Sequence, residues 1–234
     1  MEDKKTENTT VNTESLSKYR IEALTDGVFA IVMTLMILEL KLPEDIPGHV
    51  FSTDIQDHLL VLLPKLENYV ISFIVLGIYW IRHQTQFNII KYADRGLIWI
   101  NIIFLMFVAL IPFTTSFIMN YPGFQLPVIL YSFNLTIIGL LLYIHWKYAT
   151  HNFKLINKDV NIVYIKRTSK LTLLAPVVFI LTIIISFLDT RISITLMYTV
   201  PIVYIIFRNY SKVFKPKISR RRRIHKKDGK QESN

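Results

Sequence analysis

Residues 18–40 read KYRIEALTDGVFAIVMTLMILEL. A bilayer's hydrocarbon core takes about 20 apolar residues to cross, and this stretch is long enough. Its first half nevertheless holds Arg20, Asp26 and Gly27. Ionisable side chains in a spanning helix are costly and face protein or water rather than lipid. At about 100° per residue, Leu24, Gly27, Ile31, Thr34, Leu35 and Leu38 share one stripe below Arg20. Asp26 points about 120° away from Arg20. One face of this helix is suited to something central, the other to polar partners on its neighbours.

The rest of the chain extends that reading. It has 234 residues, 52% of them hydrophobic, a mean hydropathy of +0.38 and no cysteine. Charged residues make up 19%, below the roughly 25% of ordinary soluble domains. Apolar runs of spanning length fall at residues 18–40, 62–84, 97–119, 126–148, 170–189 and 191–209. This pattern predicts an all-α membrane protein with six transmembrane helices per subunit. Residues 1–17 are polar and are expected to be disordered. Residues 18–209 form the transmembrane domain, and 210–234 a basic tail. The first run lacks a small-residue cleavage site and is too long for a signal-peptide core.

The net charge is +10, and its distribution decides its meaning. Of 27 Lys and Arg, 24 fall in the N-terminal segment, the 2–3 and 4–5 connections and the tail. Only Lys41, Lys65 and Arg191 lie on the other side, near Glu44, Asp45, Asp54 and Asp57. That asymmetry is the positive-inside pattern. It predicts a multi-pass protein of the plasma membrane with both termini cytoplasmic, and no nucleic-acid partner. The run KPKISRRRRIHKK at residues 215–227 reads as a topology anchor; attraction to anionic inner-leaflet lipid is its other reading.

Pro43, Pro47 and Gly48 are expected to end the first helix, and residues 54–63 to form a short amphipathic helix at the outer surface. Residues 149–169 read as a basic cytoplasmic connection. Pro112, Pro176 and Pro201 sit inside predicted spans, where each removes a backbone bond and favours a kink.

Depth brings several polar residues together. Asp26 lies about 9 Å deeper than Arg20 at 1.5 Å per residue. The second helix runs back, bringing Trp80 and His83 near the same level, and the third starts again with Asn101 about a turn in. Arg20, Asp26, His83 and Asn101 therefore occupy one slab, with Arg20 and Asp26 bonding to helices 2 and 3 or to an adjacent subunit. Such a slab serves as a buried polar network that fixes packing, or as a proton relay or ion site. His145 and His151 carry no signal beyond the interface. No metal-ligand spacing, nucleophile motif or glycine-rich phosphate loop occurs.

Ile31, Leu35 and Leu38 follow i, i+4 and i+7, spacing that suits core contact, lipid contact or a pore wall. Ala23, Gly27 and Ala30 form a small-residue edge beside them, which permits close helix approach.

The segment from Arg20 to Ala30, RIEALTDGVFA, resembles the Arg-x-x-x-Phe-Ser-Asp signature of the endolysosomal potassium channel family, and in particular its short bacterial members. YVISFIVLGIYWIRHQ at residues 69–84 and LIWINIIFLMFVALIPF at 97–113 extend the resemblance. Leu24 stands where the signature has Phe, and Thr25 where it has Ser. Thr25 keeps the hydroxyl; Leu24 lacks the aromatic ring.

The resemblance implies a homotetramer with helix 1 lining a central pore, no enzymatic activity, no cofactor, and K+ as the permeant ion. Ile31, Leu35 and Leu38 would form stacked rings at a constriction, with the Thr34 hydroxyl beside them. Arg20, Thr25 and Asp26, with Trp80, His83 and Asn101, would form the network that holds helix 1. Narrow aliphatic rings gate by dewetting. Potassium sheds its hydration shell more easily than sodium, which predicts weak selectivity. Glu39 lies near the outer mouth, where it attracts cations or meets headgroups. Two other readings use the same residues: a proton-coupled transporter titrating Asp26 and His83, and a membrane scaffold or regulator acting through its basic tail.

Overall fold

The computed structural model describes residues 3–40 and 52–211. Among them the fold is helical: α1 (Asp3–Leu35), α2 (Ser52–Phe87), α3 (Arg95–Ala109), α4 (Ile111–Asn120), α5 (Gln125–Thr150), α6 (Ile162–Ser186) and α7 (Thr190–Ser211). By length and composition, five stretches are able to cross a membrane: Lys18–Glu39, Leu62–Phe87, Arg95–Asn120, Gln125–Phe153 and Ile162–Ser186. The sequence reads as six; α7, with Arg191, Pro201 and Arg208, is not among the five.

Several boundaries depart from the sequence reading. α1 begins at Asp3, so the backbone expected to be unstructured continues the helix. Adding residues to an existing helix escapes the cost of nucleation. At its other end α1 tightens into a 3-10 turn at Met36–Glu39. The amphipathic element expected at 54–63 is the start of α2, which passes through Pro64 without ending. The connection placed at 149–169 shrinks because α5 runs to Thr150 and α6 starts at Ile162, where the Asn161 side chain accepts from Val163 N at 2.8 Å. Pro43, Pro47, Gly48 and the tail from residue 212 lie outside the described residues.

The third span is broken. Pro112 has no N–H to donate to the carbonyl of the preceding turn. Leu110 N instead bonds to Phe107 O at 3.2 Å, and a new helix starts at Ile111.

α5 is the centre of the subunit and α1 its edge: 56% of the most apolar window of α5 is buried, against 28% for α1. Phe29 and Val32 of α1 and Met36 of the 3-10 turn that follows it pack with Val75, Leu76 and Tyr79 of α2 and with Phe104 and Val108 of α3. A smaller cluster at the loop end gathers Ile21, Phe87, Ile90, Leu97, Leu155 and Ile156. There the two connections clip together. Ile90 and Ile156 form an antiparallel bridge, and Lys91 N donates to Leu155 O at 2.7 Å. Asn152 and Phe153 take φ of 49° and 56°, the left-handed turn that lets the second connection double back.

Candidate functional site

α1 sorts its residues into two faces. Ile21, Thr25, Phe29, Val32 and Met36 are buried against the subunit. The opposite stripe is exposed on a single copy: Leu24 52%, Ile31 59%, Leu35 44% and Leu38 63%, with Gly27 and Thr34 among them. The 3-10 turn sharpens this alignment, because residues three apart eclipse one another in that geometry, and Leu38 follows Leu35 by three. The Thr34 hydroxyl donates back to its own helix, to Ile31 O at 2.8 Å or Ala30 O at 3.1 Å. Its oxygen lone pairs are left to accept.

Two sets of bonds tie α1 to α2 and α3 at one depth, one from exposed Asp26 and one from buried Thr25. Trp80 Nε1 donates to Asp26 Oδ1 at 2.8 Å, and Gln84 Nε2 donates to the same oxygen. Behind them, Asn101 Nδ2 donates to Thr25 Oγ1 at 3.0 Å, and Asn101 Oδ1 faces His83 Nε2 at 2.8 Å. Because the Asn101 amide nitrogen is engaged with Thr25, its oxygen accepts, and His83 carries its proton on Nε2. His83 is fully buried, stacked on Phe87 and Phe104 at centroid distances of 4.4 and 5.5 Å.

Of the six polar residues marked in the sequence as one network, five are brought together as two short chains: Asp26 with Trp80, and Thr25 with Asn101 and His83. Arg20 stands apart. It is exposed and has no hydrogen bond or ion pair among the described residues. Its helix faces away from α2 and α3 at that position, as its angle to Asp26 requires.

Sequence reasoning missed two further members. Gln84 follows Trp80 by four residues on α2, which is the signal that would have found it. Gln86 bridges α2 to α5: its Nε2 donates to Leu142 O at 3.1 Å, and its Oε1 meets His145 Nδ1 at 3.0 Å. His145, read from sequence as ordinary, thereby lies 5.6 Å from His83 between ring centroids. The second layer extends the first toward the centre of the subunit.

Outside the spans, Asp94 caps α3 through Leu97 N at 2.9 Å and pairs with Lys154 at 2.8 Å. Tyr148 Oη donates to the same carboxylate at 2.8 Å. Partial burial pushes the Asp94 carboxyl up, but the bonds from Lys154, Leu97 N and Tyr148, with the Lys154 charge, together hold it below the usual carboxylate value. Lys154 is raised, first by its hydrogen bond to Asp94 and then by Tyr148. This clip fixes the loop ahead of Asn101.

Long apolar helices, with an edge helix held at one depth by buried amide and imidazole groups and an exposed carboxylate, define a multi-pass membrane protein. Residues 20–112 match the family described as endosomal/lysosomal potassium channel TMEM175. A protein named as a potassium channel from Streptomyces collinus is 40% identical over 103 residues, covering 44% of this chain and 48% of that one. Another from Chryseobacterium is 37% identical over 120 residues, 51% of this chain and 58% of that one. The matches thus span about half the length of these two relatives. In fold, the chain is similar to the crystal structure of a lysosomal potassium-selective channel TMEM175 homolog from Chamaesiphon minutus. The TM-score is 0.72 at 24% identity, over 82% of this chain and 98% of that one.

Proposed function

We propose that the protein is a passive potassium channel, weakly selective for K+ over Na+. It works as a homotetramer in the plasma membrane, with six spans per subunit, α7 being the sixth, and both termini cytoplasmic. The observation that carries this is the exposed stripe of α1. A purely apolar face would suit lipid. This one continues down from exposed Arg20 and carries Thr34; such groups face protein or water in a membrane. Four copies meeting along the stripe give those groups that setting. The relatives named as potassium channels support the same reading.

In this arrangement Ile31, Leu35 and Leu38 form stacked aliphatic rings on the axis, and the neck empties of water when narrow. Thr34 offers oxygen lone pairs at the same level, where a partly dehydrated cation has need of them. The bonds from Thr25 to Asn101 and from Asp26 to Trp80 and Gln84 hold α1 at a fixed distance from the axis. Neck width is then set by α2 and α3 rather than by α1 alone. Potassium is favoured because its shell is removed at lower cost than that of sodium, which gives modest discrimination.

The test is the reversal potential of the purified protein in liposomes under a potassium-against-sodium gradient, with the oligomer mass measured on the same preparation. A shift toward the potassium potential from a four-subunit particle is the expected result. A folded tetramer with no current, or flux that requires a proton gradient, sinks the reading.

A further inference from the structure

Arg82 sits five residues before the end of α2 at Phe87, inside the span Leu62–Phe87. Its guanidinium lies 4.7 Å from the centre of the Tyr204 ring of α7, and Tyr164 at the start of α6 is within electrostatic reach. Its Nε is buried and has no hydrogen-bond partner. Neither of the ion pairs found among the described residues includes it.

An arginine stays charged under all ordinary conditions, and a partly buried cation without a counter-charge is unfavourable. A cation–π contact offsets only about 0.5–2 kcal/mol. The charge therefore favours an anion, and α6, which carries Tyr164, says which kind. Ile81 beside Arg82 is 42% exposed, and Val163, Val177 and Ile184 of α6 form an exposed apolar face. Lys166 and Lys170 are exposed on the same end of α6, adding positive potential. A soluble anion has no use for the apolar face, whereas an amphiphile fits both parts.

We infer that Arg82, between α2, α6 and α7, anchors the headgroup phosphate of an anionic phospholipid of the inner leaflet, with its acyl chains along the exposed apolar face of α6. The guanidinium fork matches a phosphate in two parallel bonds, and basic pockets between helices on the cytoplasmic side are the usual setting for such headgroups. The inner-leaflet placement rests on the orientation proposed above; the binding itself does not depend on ion conduction.

The experiment offers the full-length protein in detergent an equal mixture of phosphatidylglycerol and phosphatidylcholine and counts retained lipids by native mass spectrometry. The wild type is expected to retain phosphatidylglycerol preferentially. Arg82→Gln should lower that preference about tenfold, equal to ~1.4 kcal/mol, and Arg82→Lys, which keeps the charge without the fork, should fall between. Lys65→Gln at the opposite end should change nothing. Gln at Arg220, Arg221, Arg222 and Arg223 together should also leave the preference intact. A folded Arg82→Gln protein with full preference overturns the inference, as does loss of preference on neutralising the tail alone. Should Arg82→Gln fail to fold, Arg82→Lys and Tyr204→Leu decide: unchanged preference in both overturns it, reduced preference in both upholds it. A protein that binds lipid in this way yet conducts no ions leaves the inference standing and removes the channel reading instead.

Discussion

The indole N–H of Trp80 on α2 reaches the carboxylate of Asp26 on α1 over 2.8 Å. It spans 54 residues of sequence and fastens the edge helix at a point where that helix has a polar group and little core. Gln84 supplies a second donor one turn along. Hydrogen bonds to a charged group contribute about 1.5–3 kcal/mol each, and the exposure of both partners in one copy puts this one at the low end.

Trp80→Phe keeps the ring and removes the donor. We expect the proposed tetramer to dissociate at lower detergent or denaturant concentration, with the K+/Na+ preference little changed, because Asp26 points off the exposed stripe. Asp26→Ala should do the same more strongly, since it strands both Trp80 and Gln84. Size-exclusion profiles paired with reversal potentials check this; intact tetramers with sodium now favoured would contradict it.

Asn101→Leu tests the inner chain. It leaves the Thr25 hydroxyl and His83 Nε2 buried without partners, and each such group costs about 1–3 kcal/mol. Thermal stability in detergent should fall by roughly 2–4 kcal/mol in total. Asn101→Leu in a His83→Leu, Thr25→Val background should cost much less, because no polar atom is then stranded; equal losses in the two backgrounds would show that the amide acts by shape alone.

The slab was legible in the sequence because a spanning helix makes every polar residue conspicuous, and helix depth places Asp26, His83 and Asn101 at one level. Partner choice was not, since depth says nothing about azimuth across helices: Arg20 shares the slab's level and not its bonds, while Gln84 and His145 join it unannounced. Boundaries failed for another reason. Hydropathy marks where a helix is apolar, and α1, α2, α5 and α6 all continue as helix into polar sequence. The break at Leu110 was foreshadowed by Pro112, whose missing N–H is a local property that sequence states outright.

Gly139→Ala should separate α5 from α6. A methyl group there would run into the ring of Pro176 and approach the Tyr79 hydroxyl at 3.2 Å, where Tyr79 donates to Leu135 O at 2.8 Å. Overpacking of a tight interface costs about 1–3 kcal/mol, and a small residue at a membrane helix crossing is what permits the close approach. A variant with unchanged thermal stability would mean that Pro176 yields freely.

The Asp94–Lys154 clip should respond to acid. The Asp94 carboxyl is held below its ordinary value of 3.8, so its contribution is present above that pH and is lost as the pH falls through the lower, folded value. Lys154 is raised above 10.5; its contribution is present below that pH and is lost as the pH rises through the higher, folded value. Amide exchange at Lys91, whose N–H bonds to Leu155 O, should therefore be slow from about pH 4 to pH 10 after correction for intrinsic rates. Below that range it should quicken. Asp94→Asn should exchange quickly across the whole range, and a flat wild-type profile down to pH 2 would detach the clip from this carboxylate.

Leu35→Ala addresses the proposed pore. Leu35 is 44% exposed in one copy, so truncation removes little of the subunit's own core and should leave folding and assembly nearly untouched. In the proposed tetramer, four shortened side chains at one level would widen the neck by a few ångströms, and an apolar constriction that wide stays wet. Unitary conductance should rise and the K+/Na+ preference should fall, since ions then pass with more of their shells in place. Met36→Ala is the matched control: Met36 is 1% exposed on the opposite face, so its loss should cost about 2–5 kcal/mol of stability without raising conductance. A folded Leu35→Ala tetramer with wild-type current would take Leu35 off the conduction path, and with it the stripe of α1 as the lining of the pore.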